Sequence, residues 1–260
     1  MPVVTFDSNV WRPAGDPDLF PNDQSYKDFC SIRDAIIAGI VRGRLSESMF
    51  TLEGIMRNDR MRKLEEYTPK FDIVETIGND GQVRITMSMG PDLTAHPGNT
   101  PYLEKHLQIA SNLGFKIMRC PRIAAFINPD VSQENFVQSN NTPNNMNETF
   151  DSVTRKIEEM GAGMAWIKLI GSKHAMSNQA WFKGLANAPE SESGIIASAV
   201  SEWADADTVS AHIAYRNDYL CTRDKGTKNS NSVFSESNRA WLETDYNVRF
   251  VTPEALAQLL

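Results

Sequence analysis

Two aspartates lie where an open parallel sheet would bind a ligand. Asp7 follows the apolar run Val3–Phe6, and Asp224 follows the run Tyr219–Thr222 after a single arginine. Both runs are typical of buried strands, and ligands of parallel sheets bind just beyond the carboxyl ends of the strands. Carboxylate oxygens are the ligands that Mg²⁺ and Mn²⁺ prefer. The pair therefore falls where a ligand site is expected, although for either aspartate alone a turn is the favoured interpretation.

Hydrophobic periodicity predicts the elements that must position these acids. Helices and short apolar strands alternate most clearly in the last third of the chain, which favours a parallel sheet covered on both faces. The Gly78–Gly81 segment predicts a hairpin turn, and the Asn-rich stretch 128–149 predicts a long surface loop. Predicted strands are Val3–Phe6, Phe71–Ile77, Gln82–Met89, Phe115–Met118, Ala165–Ile170, Tyr219–Thr222 and Val248–Val251. Predicted helices are Asp23–Val41, Ser46–Leu64, the segment from Pro101 to Gly114, Phe150–Met160, Ile195–Trp203, Thr208–Tyr215, Asn238–Thr244 and Pro253–Leu260.

Five short segments resemble, in order, the motifs of PIN-domain proteins. The first is a strand ending in Asp-Ser-Asn, the second a Glu early on a helix, and the third an Asp at a helix start followed by small residues. The fourth is a strand ending in Thr-x-Asp, and the fifth a final strand with a Pro-started helix. The segments are Phe6–Val10, Phe50–Ile55, Asp207–Ala214, Leu220–Asp224 and Val248–Glu254. The resemblance covers residues 3–60 and 195–260, and the region 65–194 departs from it.

The resemblance implies an α/β fold, namely a three-layer α/β/α sandwich around a mainly parallel sheet, enlarged by a middle insertion. We therefore expect one PIN-like domain over residues 1–260, in which 65–194 is an enlarged middle region with a hairpin and a long Asn-rich loop. The resemblance also implies a metal-dependent endoribonuclease, in which water attacks RNA in line and leaves a 5′-phosphate and a 3′-hydroxyl. Mg²⁺ or Mn²⁺ would be held, directly or through water, by four carboxylates: Asp7, Glu53, Asp207 and Asp224.

Two of these assignments have competitors nearby. Asp205 competes with Asp207, which is favoured because the small Ala211 and Ala214 share its helical face and leave room at the sheet. Asp205 is otherwise interpreted as a helix N-cap. Glu47 is a second candidate beside Glu53.

Polar and basic residues suggest supporting roles. Asn9 and Thr222 are expected to orient carboxylates by hydrogen bonds, and Arg223 and Lys225 to steady a phosphate. A basic set around the second predicted helix is either a wall for RNA phosphates or a solvated helix face: Arg42, Arg44, Arg57, Arg60, Arg62 and Lys63.

Two other residue types have simpler interpretations. Trp11 could stack a base, but a core position is favoured. The histidines share no ligand spacing, so His212 is interpreted as a partly buried helix residue, and no HExxH, Walker or GxSxG motif occurs.

Composition limits the classes of function. The net charge of −7 over 260 residues argues against holding a long duplex by charge alone. No run of 18 apolar residues predicts a membrane span. Three scattered cysteines, an odd number without CxxC spacing, and a start without a secretory signal favour the cytoplasm.

Two other functions and one assembly state are also compatible with the sequence. The chain could be a catalytically silent PIN-like module that binds RNA or a protein. It could also be the toxin component of a toxin–antitoxin pair, held by an inhibitory protein partner. Assembly into a homo-oligomer is compatible with all of these.

Overall fold

A parallel five-stranded sheet forms the centre of the fold. The computed structural model describes residues 1–66, 70–77, 82–90, 96–122, 126–226 and 232–260. Within these ranges the strands are β1 (Val3–Phe6), β2 (Arg42–Ser46), β3 (Lys70–Ile77), β4 (Val83–Gly90), β5 (Lys116–Met118), β6 (Tyr219–Cys221) and β7 (Phe250–Val251). The sheet order is β5-β2-β1-β6-β7, and each pairing in it is parallel. The first strand is thus central and is paired with β6 from the last third of the chain.

Helices cover both faces of this sheet. They are α1 (Trp11–Gly15), α2 (Tyr26–Ile37), α3 (Ser48–Thr51), α4 (Arg60–Glu66), α5 (Pro101–Asn112), α6 (Met146–Glu159), α7 (Met164–His174), α8 (Trp181–Leu185), α9 (Ser193–Ala214), α10 (Glu236–Tyr246) and α11 (Pro253–Leu259). Val4 and Phe6 pack against α1, α2, α5 and α11. Leu220 and Met118 face the opposite side, against α6, α9 and α10. The expected α/β class with a parallel sheet is confirmed, and the arrangement is consistent with three layers.

Local sequence signals explain several helix starts. Thr100 accepts a hydrogen bond from the Leu103 N–H at 3.2 Å, directly before Pro101. Thr252 accepts one from Ala255 N–H at 3.3 Å and also precedes a proline. Proline at the first helical position loses no hydrogen bond, because that N–H has no partner within the helix. The predicted helix from Pro101 and the predicted closing helix are both confirmed.

The predicted helix Ser46–Leu64 is wrong. Strand β2 runs up to Ser46, α3 is one turn long, and α4 begins only at Arg60. The sequence of β2, Arg-Gly-Arg-Leu-Ser, has no apolar run, and Gly43 lies two residues after the predicted helix Asp23–Val41, where a glycine is typical of a helix end. Gly43 instead lies against the Phe115 ring, where a Cβ would be 2.5 Å from the nearest ring carbon.

Two further predictions need correction in the second half of the chain. The predicted strand Ala165–Ile170 belongs to α7, where Met164, Ile167 and Ile170 recur with helical spacing on the buried side. The two predicted helices Ile195–Trp203 and Thr208–Tyr215 form one helix, α9, of 22 residues. Helix α9 is continuous because its intervening alanines are buried and its aspartates face polar surroundings on different sides.

The middle region contributes a second cluster of helices and the hairpin. Helices α7 and α8 pack with α4 on the first half of α9. The predicted hairpin is confirmed by antiparallel pairing of β3 with β4, with Ile77 opposite Val83. Its predicted turn, 78–81, lies outside the described residues. Nowhere in the described ranges is there a helix with the length and apolar character that a bilayer crossing requires.

Candidate active site

Asp7 is fixed at the end of the central strand. Its backbone N–H donates to the Cys221 carbonyl at 3.0 Å, which continues the pairing of β1 with β6. Its side chain is buried, and Oδ1 accepts from the Ser8 N–H at 2.7 Å. Oδ2 accepts from Asn9 Nδ2 at 2.6 Å and from the Thr222 hydroxyl at 2.6 Å. The carboxylate therefore has one defined orientation.

The Thr222 hydroxyl links Asp7 to Asp224. It donates to Asp7 and accepts from the Asp224 N–H at 3.0 Å. Asn9 makes a second link between the two strand ends, because its Oδ1 accepts from the Arg223 N–H at 3.1 Å. The Asp224 side chain in turn accepts from the Gly226 N–H at 2.7 Å. The loops after β1 and β6 are thus joined by side chains at the carboxyl edge of the sheet.

Glu53 approaches the same edge from a turn rather than from a helix. The turn follows α3, and the Glu53 N–H donates to the Ser48 carbonyl at 3.1 Å. Gly54 permits this path, because a Cβ there would lie 2.3 Å from the Phe50 carbonyl oxygen. The buried Arg60 holds the turn by donating to the carbonyls of Ile55 and Glu53.

Asp205 completes the set from α9. With Ser198, Ser201 and Glu202 it forms a polar stripe along an otherwise apolar helix, at the i, i+3, i+4 and i+7 spacing of one helical face. A cavity of about 370 Å³ opens at this stripe. The residues lining the cavity include Ser8, Asn9, Glu53, Arg57, Ser198, Ser201, Glu202, Asp205, Asp224 and Gly226.

Asp207, the favoured candidate from the sequence, lies apart from this cavity. Its Oδ1 accepts from Arg122 Nε at 2.6 Å, and the same guanidinium bonds Glu158 at 2.9 Å. Residues two positions apart on a helix point to nearly opposite sides, so Asp205 and Asp207 cannot share a site. The structure brings together Asp7, Glu53, Asp205 and Asp224.

Burial and mutual repulsion alter the acidity of this group. Burial and the charge of Asp7 raise the pKa of Glu53 from 4.5 to about 7, against the opposing effect of Arg60. Burial, followed by the charges of Asp7 and Glu53, raises the pKa of Asp205 well above its usual value. Burial also raises the pKa of Asp7, although hydrogen bonds from Thr222 and Ser8 oppose the shift. Opposite charge inside the cavity would relieve this repulsion.

The donor set is suited to a hard divalent cation. Each group offers carboxylate oxygens, and within the described part of the chain the Asp205 carboxylate has no hydrogen bond or ion pair. Among those same residues, no three carboxylate, imidazole or thiolate side chains already converge closely enough to hold a metal ion. A cation held by these carboxylates would therefore need side-chain movements or ligation through water, which Mg²⁺ commonly retains.

Several other candidate residues make contacts that differ from those expected from the sequence. Glu47 accepts from the Cys120 N–H at 2.8 Å, away from the acid group. Arg223 is paired with Asp23 through both of its terminal nitrogens, at 2.8 and 2.5 Å. Trp11 is buried against Phe50.

The residues of the basic set lie in different places, and His212 is buried away from the cavity. Of the basic set, Arg57 reaches the cavity, whereas Arg62 and Lys63 pair with Glu66. His212 is buried against Thr5 at 2.9 Å, and burial lowers its pKa to about 4. The predicted helix position of His212 is confirmed, and the side chain is more deeply buried than the partial burial expected from the sequence.

Sequence reasoning missed Glu202. This buried carboxylate lines the cavity and accepts from the Val233 N–H at 2.6 Å and the Gly163 N–H at 3.3 Å. Burial raises its pKa to about 7. The signal was present as the polar stripe on α9, which periodicity would have shown if α9 had been predicted as one helix.

Comparison with known proteins adds no further constraint. A scan against protein-family models and searches of curated proteins and of solved structures found no match.

Proposed function

We propose that this protein is a divalent-metal-dependent endoribonuclease that hydrolyses phosphodiester bonds at the carboxylate site. The observation that carries the proposal is that Glu53, Asp205 and Asp224 line one cavity at the carboxyl edge of a parallel sheet. The buried Asp7 lies close enough for its charge to raise the pKa of both Glu53 and Asp205. Ligands bind parallel sheets at that edge. Carboxylates whose charges raise one another's pKa destabilise the empty protein, and a cation would offset that cost.

The metal supplies two things to this chemistry when it is bound. Mg²⁺ or Mn²⁺ would polarise the attacking water and stabilise negative charge on the phosphate. Asp7, Glu53, Asp205 and Asp224 would hold the ions, directly or through water.

The protein's own residues contribute orientation and enclosure. Three donors fix the Asp7 carboxylate, so little rotational freedom is lost when a ligand binds there. The Thr222 hydroxyl sets the spacing of Asp7 from the Asp224 backbone. Thr222 and Asn9 are thus positioning residues for the carboxylates.

A second candidate function is a catalytically silent module that binds RNA or protein. It is favoured by the finding that no three ligand side chains converge at metal distance within the described ranges. Metal titration separates the two functions, because a cation that binds the folded state alone raises its stability by about 2.7 kcal/mol at 100 times its Kd. Absence of stabilisation by Mg²⁺ and Mn²⁺ supports the silent module.

The two aspartates of α9 provide a matched experiment. Cleavage of a labelled RNA with Mg²⁺ or Mn²⁺ is measured for the wild type, Asp205→Asn and Asp207→Asn. We expect Asp205→Asn to abolish cleavage, whereas Asp207→Asn retains cleavage per folded molecule because its partner Arg122 stays paired with Glu158. Full activity in Asp205→Asn, or loss of activity in folded Asp207→Asn alone, would contradict the proposal.

A further inference from the structure

A second cavity adjoins the carboxylate site and has a different character. Its volume is about 280 Å³, and Ser8, Glu53 and Arg57 line both cavities, so the two meet along these residues. The second cavity is also lined by Arg12, Arg60, Met56, Thr100 and Tyr102. We call this surface the approach groove.

The approach groove has a local excess of positive charge in an acidic protein. Three arginines line it against one acid, Glu53, although the net charge of the chain is −7. Arg60 is committed to backbone carbonyls and Ser201. Arg12 donates to a backbone carbonyl at 3.4 Å, and Arg57 donates to Ser198 at 2.7 Å, so within the described residues neither is neutralised by an ion pair. Arg57 also donates to the Gly194 carbonyl at 3.3 Å, and Arg12 lies over the Trp11 ring, so both side chains are held in place while their positive charge stays available to an anion.

The aromatic ring of Tyr102 also lines this groove. Tyr102 is 53% exposed, and its ring packs edge-on against His106 at 4.5 Å between centroids. The Arg12 guanidinium lies 5.6 Å from the same ring centroid. Arg12 also lies near Glu53, because its charge opposes the rise in the pKa of that carboxyl group. An exposed ring supported from the side, next to unpaired arginines, has the chemistry of a base-stacking position flanked by phosphate contacts.

We propose that the approach groove holds a single-stranded segment of nucleic acid next to the carboxylate site. One base stacks on Tyr102, and the neighbouring phosphates lie against Arg12 and Arg57. This inference rests on the proposed function for its direction, since the strand leads to the cavity where hydrolysis would occur. A duplex cannot use Tyr102 in this way, because its bases are already stacked on one another.

Binding can be measured apart from cleavage. The probe is a fluorescently labelled 12-nucleotide oligouridylate, followed by anisotropy in EDTA so that no metal-dependent step takes place. We expect Tyr102→Ala to weaken binding at least about fivefold and Tyr102→Phe to restore it, because stacking needs the ring and not the hydroxyl. Arg12→Gln should weaken binding and reduce the slope of log Kd against log salt by about 1. Arg216→Gln, at an exposed arginine that bonds Asn145, is the matched control and should bind as the wild type does.

Comparison of RNA, DNA and duplex probes shows which kind of nucleic acid the approach groove binds. An oligothymidylate of the same length tests DNA, and tighter binding of either strand supports the groove and names its ligand. A blunt RNA duplex should bind with no dependence on Tyr102. Equal affinity of the wild type and folded Tyr102→Ala for the single strands, or failure of both strands to bind the wild type, overturns the inference.

Cleavage assays separate this inference from the proposed function. If single strands bind through Tyr102 but Mg²⁺ and Mn²⁺ support no cleavage, the groove is supported and the nuclease proposal fails. If RNA is cleaved but Tyr102→Ala changes neither Kd nor KM, the nuclease proposal is supported and the groove assignment fails.

Discussion

Replacement of Glu53 by glutamine should stabilise the metal-free protein, and the gain should depend on pH. Glu53 is half-buried beside Asp7 and Asp205, and its pKa is raised from 4.5 to about 7. A raised carboxyl pKa means that the folded state holds the proton more tightly than the unfolded state. The resulting penalty is absent below pH 4.5, grows between pH 4.5 and 7, and is complete above pH 7.

The magnitude follows from the size of this shift. One pKa unit corresponds to about 1.4 kcal/mol, so the charge of Glu53 costs about 1 kcal/mol at pH 5 and about 3 kcal/mol at pH 8. Glutamine has no charge to bury. Glu53→Gln should therefore raise the free energy of unfolding by about 2 kcal/mol more at pH 8 than at pH 5.

The assay is urea denaturation in EDTA at both pH values. Glu158→Gln is the matched control, since hydrogen bonds from Lys168 and Arg122 outweigh burial and lower the pKa of Glu158. Its charge contributes stability that is present above pH 4.5 and lost only as the pH falls through the folded pKa, so Glu158→Gln should lose a similar amount at pH 5 and pH 8. Equal effects of Glu53→Gln at the two pH values, or a loss at pH 8, would refute the reasoning.

Two other substitutions test how the site is positioned. Thr222→Val removes the hydroxyl that donates to Asp7, and we expect it to lower the free energy of unfolding by about 1–3 kcal/mol in a denaturation experiment. We also expect a lower rate of metal-dependent RNA cleavage. Unchanged stability and rate would show that this hydrogen bond does not orient the carboxylate. Gly43→Ala forces a methyl group against the Phe115 ring and should cost about 1–3 kcal/mol; a thermal midpoint equal to that of the wild type would contradict the close packing of β2 on that ring.

The parts of the fold predicted from sequence are those with a strong local signal. Strands β1 and β6 are short apolar runs that end at a polar residue, and α5 and α11 begin with a threonine followed by proline. Strand β2 lacked such a signal, because its side chains are arginine, serine and one leucine, and its burial depends on neighbours from elsewhere in the chain. The apolar segment of α7 is compatible with a buried strand or a buried helix, and tertiary packing decides between them.

The candidate site likewise has residues that a local sequence signal predicts and residues that only the tertiary structure identifies. Asp7 and Asp224 follow from the rule that ligands gather at strand ends, and the parallel pairing of β1 with β6 places them side by side. The choice between Asp205 and Asp207 depends on the rotational phase of α9, and two separate predicted helices do not define that phase across residues 204–207. Arg122, the residue that pairs with Asp207, lies 85 positions away in the sequence, so no local pattern could have indicated it.

Diffraction from crystals soaked in Mn²⁺, recorded at a wavelength where manganese scatters anomalously, tests the central claim most directly. We predict an anomalous peak inside the cavity, within ligand distance or one water of the Asp7, Glu53, Asp205 and Asp224 carboxylates. The peak should vanish in Asp205→Asn crystals and persist in Asp207→Asn crystals. A peak beside Asp207 and Arg122, or no peak in wild-type crystals at saturating Mn²⁺, would contradict the account.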